Sequence, residues 1–154
     1  ALYIGDPVIK AGSADANGVA TVTRATAGAA ITGVVVGFAP DGTTNMVGYR
    51  AASTAAYVLC CTNPSQVYEI QEDSVGGALA AVDVGLNADF IVAAGNSYSK
   101  QSGVIRDTST KATTITLPLK ILGLSQKVGN SIGNNAKVLV KINVTTESSA
   151  TAGV

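Results

Sequence analysis

Apolar and polar residues alternate with a period of two along much of this chain, and clusters of Gly, Pro, Asn, Asp and Ser break the alternation at short intervals. That is the pattern of a many-stranded β domain. It is clearest near the end, where Val138, Val140, Ile142 and Val144 alternate with Lys137, Leu139, Lys141 and Asn143. The first set should face a core and the second should face away from it. Upstream, Ile115, Leu117, Leu119 and Ile121 share one face while Thr114, Thr116, Pro118 and Lys120 share the other. Pro118 has no N–H to give a ladder, so it places this segment on a sheet edge or divides it in two. Val67–Gln71 predicts a half-buried strand with Tyr68 and Ile70 on one side and Glu69 and Gln71 on the other.

The first half reads the same way with shorter signals. Asn17-Gly18 is a turn that leads into a strand over 20–24, with Thr21 and Thr23 on its wet face. Residues 31–38 are apolar on both faces and predict a central strand, in which Gly33 and Gly37 allow a bend or a close backbone approach. Pro40-Asp41-Gly42 supplies the next turn, and residues 46–49 the return strand. The apolar run 57–61 ends at the turn Asn63-Pro64-Ser65, and 101–105 is a further short strand. Between 74 and 94 the alternation loosens. The helix formers around 78–82 make a run too short for a stable helix, so at most one or two helical turns belong there. The expected fold is all-β: a single domain over 1–154, built as a β-barrel or β-sandwich with one or two short helical turns. Residues 1–10 are a candidate N-terminal arm and 145–154 a frayed tail.

Composition sharpens this picture. Ala, Gly, Ser and Thr make up close to half of the 154 residues, and Val and Ile far outnumber the two Phe. Charged residues are only 13% of the chain, against about 25% in an ordinary soluble domain. Much of the surface is therefore uncharged, which suits packing against another body. A formal net charge of zero, with ten basic residues spread along the chain, argues against nucleic-acid binding. No run of 18 apolar residues is present, so no membrane-spanning helix is expected. The first residues carry no basic segment followed by an apolar stretch; Ala1 fits removal of an initiator methionine or of a leader.

The chemistry available is limited by the absence of histidine and tryptophan. Cys60 and Cys61 are adjacent, so in a strand they point to opposite faces and are poor partners for a disulfide. With no other thiol and no imidazole, no zinc or iron–sulfur ligand set exists. Gly129-Asn130-Ser131-Ile132-Gly133 matches the G-x-S-x-G pattern of a hydrolase elbow, but Ser131 has no histidine to act as its base, and the segment lies in a Gly/Asn-rich loop between two strands. Glu69, Glu72 and Asp73 form an acidic concentration that a glycosidase would use in a cleft lined with rings; alternation puts Glu69 and Asp73 on a solvated face instead. Asp83, Asn87 and Asp89 put three oxygen donors in seven residues, compatible with a weak calcium loop but without the EF-hand order, and so more in keeping with an Asx-stabilised turn. Asn143-Val144-Thr145 matches a glycosylation acceptor and matters only in a secretory pathway. Neither a catalytic residue nor a cofactor or metal is expected.

Taken in order, the blocks 67–73 (VYEIQED), 85–89 (GLNAD), 117–124 (LPLKILGL) and 134–143 (NNAKVLVKIN) resemble the capsid decoration, or cement, proteins of tailed bacteriophages. The resemblance spans about residues 57–145. It implies a small non-enzymatic β-rich protein on the outer capsid surface of the virion. Its partners would be the major capsid protein and further copies of itself, usually as a trimer, stabilising the mature shell by bridging capsid subunits. The expected capsid contacts are Leu2, Tyr3, Ile4 and Pro7, because large apolar residues at a terminus need a surface to cover them. An ordinary first strand of the domain itself is the other reading of that segment. The rival functions are a secreted fibre or pilus-type subunit, whose edge a neighbour's strand completes, and a hydrolase or sugar binder, which the missing histidine and tryptophan disfavour.

Overall fold

The computed structural model describes residues 1–40 and 48–147. The turn expected at Asp41-Gly42, the start of the return strand at Met46, and the last seven residues lie outside them. Among the described residues twelve strands are formed: β1 (Leu2–Tyr3), β2 (Pro7–Ala14), β3 (Ala20–Arg24), β4 (Gly33–Phe38), β5 (Tyr49–Arg50), β6 (Val58–Cys61), β7 (Val67–Gln71), β8 (Asn87–Ala88), β9 (Phe90–Ile91), β10 (Ile105–Arg106), β11 (Leu119–Leu124) and β12 (Lys137–Ile142). The only helical pieces among the described residues are two single 3-10 turns, Ala81–Asp83 and Thr108–Thr110.

Two four-stranded antiparallel sheets form a β-sandwich, one in the order β3-β2-β4-β6 and the other β7-β12-β11-β8, with the small pairs β1-β5 and β9-β10 beside them. The alternation seen at the end of the chain is what builds the second sheet. In β12, Val138, Val140 and Ile142 are buried while Lys137, Leu139 and Lys141 are not. Its partners on either side are in register at Val140, which faces Tyr68 on β7 and Ile121 on β11. Ile31, Phe90, Leu119, Val138, Val140 and Ile142 form the heart of one apolar cluster between the sheets, against which Ile9 and Val34 of the first sheet pack.

Several expectations are refined by the packing. β4 is a central strand, and near its start it is apolar on both faces: Val34 packs on the inter-sheet core while Val35 is buried on the opposite face. The register then shifts between Val35 and Gly37, and Val36 at the bulge is 55% exposed. The segment around Pro118 is divided, as its missing N–H requires. Pro118 and Leu119 are buried and β11 starts at Leu119, whereas Ile115 lies in a turn, 80% exposed. Residues 145–147, at the start of the segment expected to fray, are held by contacts to the first sheet, and the rest of that segment lies outside the described residues. Ile31 N–H donates to the Val144 carbonyl at 3.0 Å, the Thr32 and Thr146 hydroxyls meet at 2.7 Å, and Lys10 Nζ lies 2.8 Å from Glu147 Oε1. Residues 144–147 thus tie the end of the second sheet to the first.

Candidate functional site

The N-terminal residues expected to form an arm are built into the domain. Leu2 and Tyr3 pair with Arg50 and Tyr49. The Tyr3 ring stacks on Tyr49 with centroids 5.3 Å apart, and Lys100 Nζ sits 4.3 Å from the centre of the Tyr49 ring. On its other flank Tyr3 lies so close to Gly95 that no Cβ would fit there. The turn at Gly5, with φ of 93°, is closed by Asp6, which is completely buried. Its carboxylate accepts the Tyr3 N–H at 2.9 Å and the Ser102 hydroxyl at 2.5 Å, with Arg24 Nε 3.5 Å away. Of the four expected contact residues, Tyr3 and Pro7 are therefore buried within their own chain, while Leu2 and Ile4 are half-buried.

Ile4 and Pro7 instead line an apolar cleft of about 270 Å³ between the two sheets. Pro7 pairs with Val34 and Val34 with Cys61, so the three share a face. Tyr68 and Ile70 of β7 form the opposite wall, and Ile31, Phe90 and Val140 the floor. Gln71, Gln101 and Ser102 also border it, the Gln71 amide donating to Asn135 Oδ1 at 3.3 Å. The Tyr68 hydroxyl donates to the Cys61 carbonyl at 3.4 Å. Burial first, then that bond and the neighbouring cysteines, push its pKa far up, so it stays a neutral phenol. Cys60 and Cys61 are free and half-buried, and burial raises the Cys60 thiol.

The carboxylates go to separate structural duties. Glu69 accepts Lys127 Nζ at 2.7 Å and the Ser125 hydroxyl at 2.5 Å, and these bonds, Lys127 first, hold it below the ordinary range. Asp83 pairs with Lys111 at 2.7 Å and caps the Ala80 N–H at 2.8 Å; burial works to raise its pKa and is outweighed by these bonds. Asn87 donates to the Thr114 carbonyl, and Asp89 accepts the N–H groups of Gly28 and Phe90. Asp83, Asn87 and Asp89 thus each serve a separate contact, and no group of three acidic or thiol ligands forms among the described residues. Ser131 is exposed in the loop between β11 and β12.

Sequence reasoning named Glu72 only as one of an acidic concentration and missed Arg106; both are completely buried. The signal was available for Glu72: period two puts it on the face of Tyr68 and Ile70, pointing inward. Its carboxylate takes the Ser74 N–H and hydroxyl and, at 2.5 Å, the Thr108 hydroxyl, whose oxygen also accepts Arg106 Nη2 at 3.2 Å. This network closes the end of β7 against β10.

At the same end of the second sheet, the loops 72–80 and 125–136 are laced together. Asn135 N–H donates to the Ser74 hydroxyl at 2.7 Å, and Leu79 N–H to the Gly133 carbonyl at 3.3 Å. Asn130 braces the second loop by donating to the Ser125 and Lys137 carbonyls and accepting the Lys137 N–H. These loops leave Val75, Val128 and Ile132 exposed. No family model, no curated protein and no solved structure matches this chain.

Proposed function

We propose that the protein is a non-enzymatic structural subunit of a tailed bacteriophage, binding the outer surface of the capsid as a homo-oligomer, with a trimer as the working stoichiometry, and bridging major capsid subunits. The observation that carries this reading is the braced pair of loops presenting Val75, Val128 and Ile132 to solvent. Exposed apolar side chains held on ordered loops have a desolvation gain to collect when a partner covers them. The low charge of the chain supports the same reading, since docking a broad face then strands few ions. The block-order resemblance to decoration proteins adds the identity of the partner. Linked weak contacts from several copies give avidity without one strong anchor.

The test is co-sedimentation of purified protein with expanded, undecorated capsids, followed by their resistance to heat. Wild-type protein should saturate the shells and raise their disruption temperature. The triple variant Val75→Asp, Val128→Asp, Ile132→Asp should bind at least tenfold more weakly while melting like wild type. Absence of binding to any expanded shell, together with filament formation by the protein alone, would overturn the reading in favour of a fibre or pilus-type subunit.

A further inference from the structure

The cleft between the sheets carries an inference independent of shell binding. Protein interiors are packed nearly as densely as organic crystals, yet here the side chains of Val34, Tyr68, Ile70 and Val104, which all pack on the central apolar cluster, are only half-buried. The space they face is about 270 Å³. It is not free to collapse, because one wall is held by the ladder Pro7–Val34–Cys61 and the other by the pairs Tyr68–Val140 and Ile70–Val138. Its floor is apolar, and the Tyr68 hydroxyl on its wall is committed to the Cys61 carbonyl. Glu69, the one charged residue that borders it, has its carboxylate committed to Ser125 and Lys127.

We propose that this cleft is a binding site for an uncharged, largely apolar small molecule, with the amide of Gln101 meeting a polar end of the ligand. The size sets the class. A cavity of about 150 Å³ lined by apolar side chains stays dry and takes up benzene, so the present volume accommodates a bicyclic aromatic or an alkyl chain of about eight to ten carbons. A charged ligand is disfavoured, since no ionic partner is free at the walls and burying an unpaired charge is costly.

The probe for the test is 6-propionyl-2-(dimethylamino)naphthalene, which is neutral, has a two-ring aromatic body and brightens with a blue shift when removed from water. It should bind the full-length protein saturably at one site per chain, and 1-decanol should displace it. Val34→Phe and Ile70→Phe, which fill the cleft from opposite walls, should each lower the affinity at least tenfold, with unchanged circular dichroism and an equal or higher melting temperature. Having both variants guards against one that fails to fold. The triple loop variant described above should bind the probe like wild type. Enhancement that does not saturate, or that is the same in wild type and in a folded cleft-filled variant, would overturn the proposal. Capsid co-sedimentation is read separately, so failure of one proposal leaves the other standing.

Discussion

Glu72 and Arg106 are bridge partners on neighbouring segments, both completely buried, and the Thr108 hydroxyl stands between their charged groups, donating to the carboxylate and accepting from the guanidinium. Arg106 Nε and Nη1 have no hydrogen-bond partner, so the guanidinium depends on this contact and on the surrounding carboxylates of Glu72, Asp83, Asp73 and Asp107. Thr108→Val keeps the shape and removes both bonds. It should destabilise the domain by about 1–3 kcal/mol, measured by urea unfolding, whereas Thr108→Ser should recover most of the loss. Arg106→Met, which leaves Glu72 buried without its counter-charge, should cost more, about 3–5 kcal/mol.

Acid should weaken the same region. Burial works to raise the pKa values of Glu72 and Asp73, but hydrogen bonds from Thr108 and Ser74 to the first, and from Thr108 and Val75 to the second, outweigh it and leave both below their ordinary range. A carboxylate whose folded pKa is depressed contributes stability that is fully present above its unfolded pKa and is lost as pH falls through the folded one. Melting temperature should therefore be level from neutrality to about pH 5 and fall below about pH 4. In Thr108→Val the fall should be shallower. A melting temperature unchanged down to pH 2.5 would contradict this account.

Gly33 shows how closely β4 and β6 approach. A Cβ there would lie 2.6 Å from the Cys61 carbonyl oxygen, a backbone atom that cannot step aside without breaking the ladder. Gly33→Ala should cost about 1–3 kcal/mol as an overpacking strain. Gly123→Ala, where nothing lies within 4 Å of the added carbon, is the matched control and should be nearly neutral.

The contacts of Thr145, Thr146 and Glu147 with residues 10 and 31–32 can be isolated by two truncations. A chain ending at Glu147 and one ending at Val144 differ only in these three residues. The shorter should melt several degrees lower, because it loses the parallel bridge of Thr145 to Ile31, the Thr32–Thr146 bond and the Lys10–Glu147 pair. Equal melting temperatures would show that the stitch between the sheets contributes nothing.

Cys60 should be slow toward a thiol reagent. Burial, with a smaller contribution from Cys61, raises its pKa, and only the thiolate attacks. In a Cys61→Ser variant, modification by a disulfide reagent at pH 7.5 should be slower than for free cysteine and should rise steeply on the alkaline side. Fast modification at neutral pH would show that the thiol is activated.

The strands were legible wherever one face meets the core and the other does not. Lys137–Ile142, Val67–Gln71 and Ala20–Arg24 could be read with their faces because alternation records which side is buried. The turn at Asn63 and the shortness of the helical pieces were readable for the same local reasons. The division at Pro118 followed from one missing N–H, although only the fold showed that Ile115 is left in a turn outside the core.

What alternation along one strand cannot specify is which strands meet. The burial of Tyr3 against Tyr49 and Gly95, the meeting of Glu72 with Arg106, the stitch from Thr146 to Thr32, and the cleft between Val34 and Ile70 all join residues distant in sequence. They are decided by how two sheets pack. The sequence by itself determined that this chain makes a charge-poor all-β domain with neither histidine nor tryptophan. Only the tertiary structure decided that Tyr3 and Pro7 are buried within their own domain, and that Val75, Val128 and Ile132 are exposed on braced loops at one sheet end, because burial is a property of the assembled sheets and not of any one strand.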